Sequence, residues 1–152
     1  MNKLISFVKQ FTKDEVNELN NAEKIGRNYF YLGNELKELK DSIKLEPHSA
    51  GLPLGQIKNN KFMPSIALLD ILNNYTDKKV FVNKKGETVF LYGKDVFAEN
   101  FDKCDTGEGF CLVLNEKNEV LGYGELIKKE KSKLLLNLLD RGDFLRRERQ
   151  DS

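Results

Sequence analysis

The sequence predicts an α+β chain made of two small domains, residues 1–76 and 77–152. Three observations carry that expectation. In the first half, apolar residues recur at helical spacing, as in Ile66, Leu69 and Leu72, which gives a helix one apolar face. In the second half they cluster in short blocks between polar turns, as in GFCLVL, EVLGYGEL and LLLNLL, a strand signature. The change falls at Asn73-Asn74-Tyr75-Thr76-Asp77, a short polar stretch that forms the domain boundary.

Leu4, Phe7, Val8 and Phe11 recur at helical spacing, so residues 2–11 are expected as a helix, with a strand over Leu4 to Phe11 as the alternative. Thr12-Lys13-Asp14-Glu15 has the form of a capping box, which would start a second helix reaching about Lys24 with Val16 and Leu19 inward. Gly26 ends that segment, and Tyr29-Phe30-Tyr31-Leu32 is a strand by its aromatic content. Asn34 caps a helix with Leu36, Leu39 and Ile43 on one face. Pro47 to Pro53 is a turn-rich connection, Leu54 to Ile57 a short strand and Asn59-Asn60 a turn. Ser65 then caps a helix to Asn74 that buries Ile66, Leu68, Leu69 and Leu72.

The run KKVFVNKKGETVFLYGKDV, Lys78 to Val96, organises the second half. Val80, Phe81 and Val82 make a strand. Asn83-Lys84-Lys85-Gly86 has the composition of a turn with Gly86 at positive φ, so Thr88 to Leu91 is expected as the second strand of a hairpin. Gly93 breaks that strand, and Lys94 to Phe101 follows as a short helix or wide turn carrying Val96, Phe97 and Phe101. Strands Gly109 to Leu114 and Glu119 to Leu126 flank the turn Asn115 to Asn118. Within the second, Gly122-Tyr123-Gly124 marks a close backbone approach or a bulge. Lys128 to Ser132 is a polar excursion, Leu134 to Leu139 a strand, Arg141-Gly142 a turn, and Asp143 to Arg149 a final strand.

Composition excludes several classes. IALLDIL, among the longest apolar runs, is far short of the ~20 residues that span a bilayer. MNKLISFVKQF has one basic flank but neither an apolar core nor a small-residue cleavage site, so neither secretion nor membrane residence is expected. One histidine and two cysteines cannot close a four-ligand zinc site. Cys104 and Cys111 are expected as reduced thiols, Cys111 buried within an apolar strand.

An enzyme needs a nucleophile with its base, a metal cluster or paired carboxylates, and none assembles. His48 stands alone in a loop between Pro47 and Ser49. Asp95 beside Tyr92 could be imagined as a general base, but a carboxylate at the start of a short helix is explained by the helix dipole. Asp70 is a solvated helix residue. The glycines at 86, 93, 107, 109, 122, 124 and 142 form no phosphate-cradling motif. The expectation is a protein without catalysis and without a cofactor.

What remains is charge distribution. The whole chain carries a net charge of +1. From Ile127 to Ser152, however, eight basic residues face five acidic ones, a balance of +3. Lys128, Lys129, Lys131, Lys133, Arg146, Arg147 and Arg149 are the cations of that end, besides Arg141. If the lysine stretch is extended, alternation places Lys129, Lys131 and Lys133 on one side. Such a cluster can neutralise phosphates without reading sequence.

FLYGKDVF, then GFCLVLNEKNEVLGYGEL and LLDRGDFLRRE, resembles a PUA domain, a small barrel-like RNA-binding module. With LGQIKNNKFMPSIALLDIL upstream, the order is similar to the Nip-seven family of pre-rRNA-processing proteins, in an archaeal-type version. The likeness runs from about Tyr29 to Glu148, and the region before Tyr29 is shorter than the family pattern. It implies an α+β amino-terminal domain for protein contacts and a PUA β-barrel for RNA. It further implies a non-catalytic adaptor in pre-rRNA processing and large-subunit assembly, with U-rich single-stranded RNA or pre-rRNA, ribosome assembly proteins and the exosome as partners. The implied location is cytoplasmic, or nucleolar in a eukaryote. Carried onto matching positions, the PUA surface implicates Leu91, Tyr92, Gly93, Lys94 and Asp95 with Arg146 and Arg147. Leu91 among these is more simply core. Gly93 would let a backbone approach closely, and Lys94 would hold a phosphate.

Overall fold

The computed structural model describes residues 2–32 and 51–142, and the chain divides into two compact units, Met1–Tyr75 and Thr76–Ser152. In the first, the helical spacing of Leu4, Phe7 and Val8 produces α1 (Asn2–Val8), with all three side chains buried. The Phe7 ring meets those of Phe11 and Phe62, each at 5.2 Å between centroids. The second helix expected after Thr12 does not form. Thr12 Oγ1 instead accepts from the Asp14 amide at 3.1 Å, a hydroxyl turn. A single 3-10 turn, Asn17–Asn21, then leads into β1 (Ala22–Ile25). Asn17, Asn20 and Asn21 are poor helix formers because their amides compete for the backbone, and one turn suffices to bury Val16 and Leu19.

β1, β2 (Asn28–Tyr31), β3 (Leu52–Lys58) and β4 (Lys61–Pro64) form an antiparallel sheet in that order. The turn at Asn59-Asn60 is as expected, with φ of 52° and 62°, the left-handed pair that matches hairpin twist. Ser65 caps α2 (Ile66–Leu72). Its Oγ accepts from the Leu68 amide at 3.1 Å and donates to the Pro53 carbonyl at 2.8 Å. Leu68, Leu69 and Leu72 are fully buried, while Ile66, also expected inward, is half-buried in the first turn. The helix expected after Asn34 and the loop holding His48 lie outside the described residues.

In the second unit β5 (Lys79–Val82) is the expected strand, but no hairpin follows it. Residues 84–91 form α3 (Lys84–Leu91), capped by Asn83, whose Oδ1 accepts from the Gly86 amide at 2.8 Å. Gly86 is therefore inside a helix, not in a left-handed turn. It is needed for space: a Cβ there would sit 2.9 Å from both the Asn100 carbonyl oxygen and Val82 Cβ. Thr88, Val89 and Phe90 favour strands in isolation. Burial overrides that preference, because helical geometry sends Phe90 into a core with Val80, Val82, Val96, Cys111 and Leu135.

The chain continues as β6 (Val96–Phe97), a 3-10 turn (Ala98–Asn100), β7 (Phe101–Cys104), β8 (Gly109–Leu114), β9 (Val120–Lys129) and β10 (Ser132–Asp140). The segment expected as a short helix or wide turn is thus two short strands around one 3-10 turn. The sheet order is β6-β10-β9-β8-β5-β7. β5 pairs with β8 in parallel, and every other pairing is antiparallel. A parallel neighbour demands a crossover rather than a hairpin. The two edge strands, β6 and β7, are consecutive in the chain, so the 3-10 turn links the ends of the sheet and the sheet rolls into a near-closed barrel.

β9 and β10 approach closely at the Gly-Tyr-Gly motif, as expected. A Cβ at Gly122 or Gly124 would collide with the Leu139 or Leu136 carbonyl oxygen respectively. The register shifts between Asn137 and Leu139, a bulge that leaves Leu138 exposed. The polar excursion over Lys128 to Ser132 is smaller than expected. Ser132 pairs with Lys129, so the strands run to a tight turn at Glu130-Lys131, with Glu130 at φ 59°. Arg141 and Gly142, expected as a turn, have helical backbone. The final strand expected from Asp143 lies outside the described residues.

Candidate nucleic-acid interface

Residues Gly93 to Asp95 are the hinge of the site, and three local devices fix them. α3 ends at Leu91 with Tyr92 as its cap, and Gly93 takes φ 85°. The Gly93 amide donates to the Phe90 carbonyl at 2.9 Å and the Lys94 amide to the Val89 carbonyl at 3.2 Å. That is the paired closure of a helix on a left-handed glycine. Gly93 thus ends a helix where a broken strand was expected. Asp95 lies at the entry to β6 and not at a helix start; its Oδ1 accepts from the Asn137 amide at 2.8 Å. The Asn137 side-chain amide donates to the Phe90 carbonyl at 2.8 Å, to Asp140 Oδ2 at 3.2 Å and, more weakly, to the Lys94 carbonyl at 3.5 Å. The β10 bulge therefore ties the end of α3 to the sheet.

Beside this loop lies an open groove of about 640 Å³. α3 contributes Lys85, the loop Gly93 and Lys94, the β6 turn Phe97 and Glu99, and the β9–β10 hairpin Lys129. Three ammonium groups face two carboxylates there, and one carboxylate, Asp95, is engaged by a main-chain donor. An anion threaded between Lys85, Lys94 and Lys129 meets a net positive wall.

The groove gathers Gly93, Lys94 and Lys129 from the residues singled out in the sequence. Tyr92, next in the chain, is 73% exposed. The other lysines separate. Lys128 pairs with Lys133 and Lys129 with Ser132; because opposed residues share a face, Lys128 and Lys133 lie on the opposite face from Lys129. The expected common side for Lys129, Lys131 and Lys133 is corrected, since the turn at Glu130-Lys131 interrupts the alternation. Lys133 Nζ instead lies 3.5 Å from the Thr106 carbonyl oxygen and 4.0 Å from Cys104 Sγ. Lys131 is exposed at the turn. Arg146, Arg147 and Arg149 lie outside the described residues.

Sequence reasoning missed Lys85, hidden in a presumed turn, and Phe97. Strand alternation at Val96-Phe97 was the available signal: Val96 is buried and Phe97 is 60% exposed. Both cysteines are free, Cys104 half-buried and Cys111 buried. Burial, and then the proximity of Cys104, pushes the Cys111 thiol up to about 12. Among the described residues no group of three or more His, Cys, Asp or Glu side chains is arranged to hold a metal. No helix among them is long and apolar enough to cross a membrane.

Residues 78–149 match the family model described as the UPF0113 PUA domain. A UPF0113 protein of Archaeoglobus fulgidus is 35% identical over 116 residues, 70% of this chain and 66% of that one. A UPF0113 protein of Aeropyrum pernix is 32% identical over 121 residues, covering 78% and 68%. The 60S ribosome subunit biogenesis protein nip7 of Schizosaccharomyces pombe is 31% identical over 112 residues, covering 66% and 62%. The matched part thus spans 62–68% of these relatives' lengths. The fold is similar to that of a hypothetical protein from Pyrococcus horikoshii, with a TM-score of 0.52 at 15% identity over 94% of this chain and 92% of that one. The likeness carried by FLYGKDVF and GFCLVLNEKNEVLGYGEL is therefore real, the fold is a small mixed domain followed by a PUA-type barrel, and the chain belongs to the UPF0113 family.

Proposed function

We propose that this chain is an RNA-binding factor of ribosome biogenesis that performs no chemistry of its own. The observation that carries this reading is the groove of the second unit, where Lys85, Lys94 and Lys129 converge beside a loop fixed by Gly93, Asp95 and Asn137. Lysines on a rigid groove hold phosphates as point charges. The PUA family match and the fission-yeast relative named for 60S biogenesis support the same assignment. In this reading residues 77–152 hold RNA, and residues 1–76 meet ribosome assembly proteins or the exosome. The chain then acts as an adaptor in pre-rRNA processing.

The test is a titration of the purified chain against U-rich, A-rich and duplex RNA at several salt concentrations. Salt-dependent binding is expected. Replacing Lys94 and Lys129 together by alanine flattens the slope of log K against log salt by about 1.4, since each lost phosphate contact on a single strand is worth ~0.7. Arg146→Ala/Arg147→Ala and Lys128→Ala/Lys133→Ala, run alongside, report whether the footprint extends beyond the groove. Absence of binding at low salt refutes the reading. It would favour a protein-binding assembly factor, which the near-neutral net charge of +1 also fits.

A further inference from the structure

The groove has a second chemical character that its lysines do not explain. Val96 and Phe97 form the two-residue strand β6, paired with Leu135 and Leu134 of β10. Alternation sends Val96 into the core at 0% exposure and leaves Phe97 on the other face, 60% exposed. Among the described residues of this unit three large apolar side chains are exposed, Tyr92, Phe97 and Leu138. Phe97 is the one that lines the groove with Lys85, Lys94 and Lys129. Phenylalanine has no polar atom with which to justify contact with water, so its ring offers a bare π-face.

The charges around that ring sort what can occupy it. Asp95 and Glu99 flank Phe97 in the chain and line the same groove. These carboxylates sit beside the ring in the chain, while Lys85, Lys94 and Lys129 line the same groove and leave it one positive charge in excess. A polyanion with flat, unpaired bases satisfies both halves: phosphates on the lysines, a base on the ring. A duplex satisfies only the first, because its bases are stacked on one another and unavailable.

We propose that Phe97 is a base-stacking residue, and that the groove selects single-stranded RNA by seating one unpaired base on its ring while Lys94 and Lys129 hold the neighbouring phosphates. The inference rests on the RNA-binding reading above and adds the residue that senses an unpaired base. Stacking of one base on an aromatic ring is worth ~1–3 kcal/mol, a change of about 5- to 140-fold in affinity. It carries no net charge, so it leaves no mark on the salt slope.

The test uses the full chain with a 12-nucleotide oligo-U strand and a blunt RNA duplex of equal length. Phe97→Ala is expected to weaken oligo-U binding 5- to 140-fold with the wild-type salt slope, narrowing the preference for single strand over duplex. Phe97→Trp restores the affinity. Since the chain contains no tryptophan, that variant also reports stacking directly, through quenching of its lone indole by oligo-U. Failure of the wild type to bind any RNA overturns the RNA reading and this inference together. Wild-type affinity in Phe97→Ala, with Lys94→Ala/Lys129→Ala weakened, overturns the stacking role alone. An indole that is not quenched at saturating oligo-U does the same.

Discussion

Asn137 offers the sharpest check on how the site is held. Its side-chain amide donates to the Phe90 carbonyl and to Asp140, a residue 2% exposed. Asn137→Ala removes one good neutral hydrogen bond, worth about 1 kcal/mol, one to a carboxylate, worth about 1.5–3 kcal/mol, and the weak 3.5 Å contact with the Lys94 carbonyl. The Phe90 carbonyl keeps a second donor in the Gly93 amide, and water entering the space left by the amide recovers part of the rest. A loss of about 2–3 kcal/mol is therefore expected. In urea, with a slope of about 1–1.5 kcal/mol per molar for a unit this small, the midpoint falls by ~2 M and the slope is unchanged. Far-UV circular dichroism reads both. Asn137→Asp separates the hydrogen-bond account from simple packing. It preserves the shape, loses the donors and puts a carboxylate against buried Asp140, so at pH 7 it is less stable than Asn137→Ala. An aspartate variant at least as stable as the alanine variant at pH 7 would refute the reasoning.

Other consequences follow from packing and burial. Gly124→Ala drives a Cβ against the Leu136 carbonyl, and forcing β9 and β10 apart is expected to cost ~3 kcal/mol, seen as a lower urea midpoint of the second unit. Ser65→Ala removes the cap of α2 and lowers stability by about 1 kcal/mol, measured by the urea midpoint of the first unit. At pH 8 a thiol reagent is expected to modify Cys104 in the native chain and Cys111 only after denaturation, since burial holds the Cys111 thiol up at about 12. The unfolded thiol ionises near 9, below the folded value. Its contribution is therefore complete below pH 9 and is lost as pH rises from 9 toward 12, and Cys111→Ala flattens that alkaline decline.

The sequence made legible whatever was decided locally. Ser65 and the stripe behind it specify α2, and Asn59-Asn60 specifies its turn. Gly122 and Gly124 announce two backbones in contact. α3 was not legible because Asn83-Lys84-Lys85-Gly86 satisfies a turn and a helix cap equally well. What decides is the distant core: only as a helix does the segment send Phe90 in against Val80, Val82 and Leu135. The helix after Thr12 failed in the opposite sense, a good cap followed by asparagines that one turn could satisfy. The same blindness hid half of the groove. Lys85 and Phe97 become neighbours of Lys94 and Lys129 only when α3 and β6 exist. The alternation assigned to Lys129, Lys131 and Lys133 failed because a turn fell in its middle.

The link between the two ends of the sheet has a dynamic consequence. β6 is attached to β10 by two residue pairs, while its chain runs at once into β7 on the far edge. Two pairs make a short zipper, and Val96, at 0% exposure, is what anchors it to the core. Phe97 belongs both to that zipper and to the groove wall. A ligand seated in the groove is therefore a clasp across the seam, worth about 2.7 kcal/mol at one hundred times its Kd. Retention of the ligand and closure of the barrel are one equilibrium.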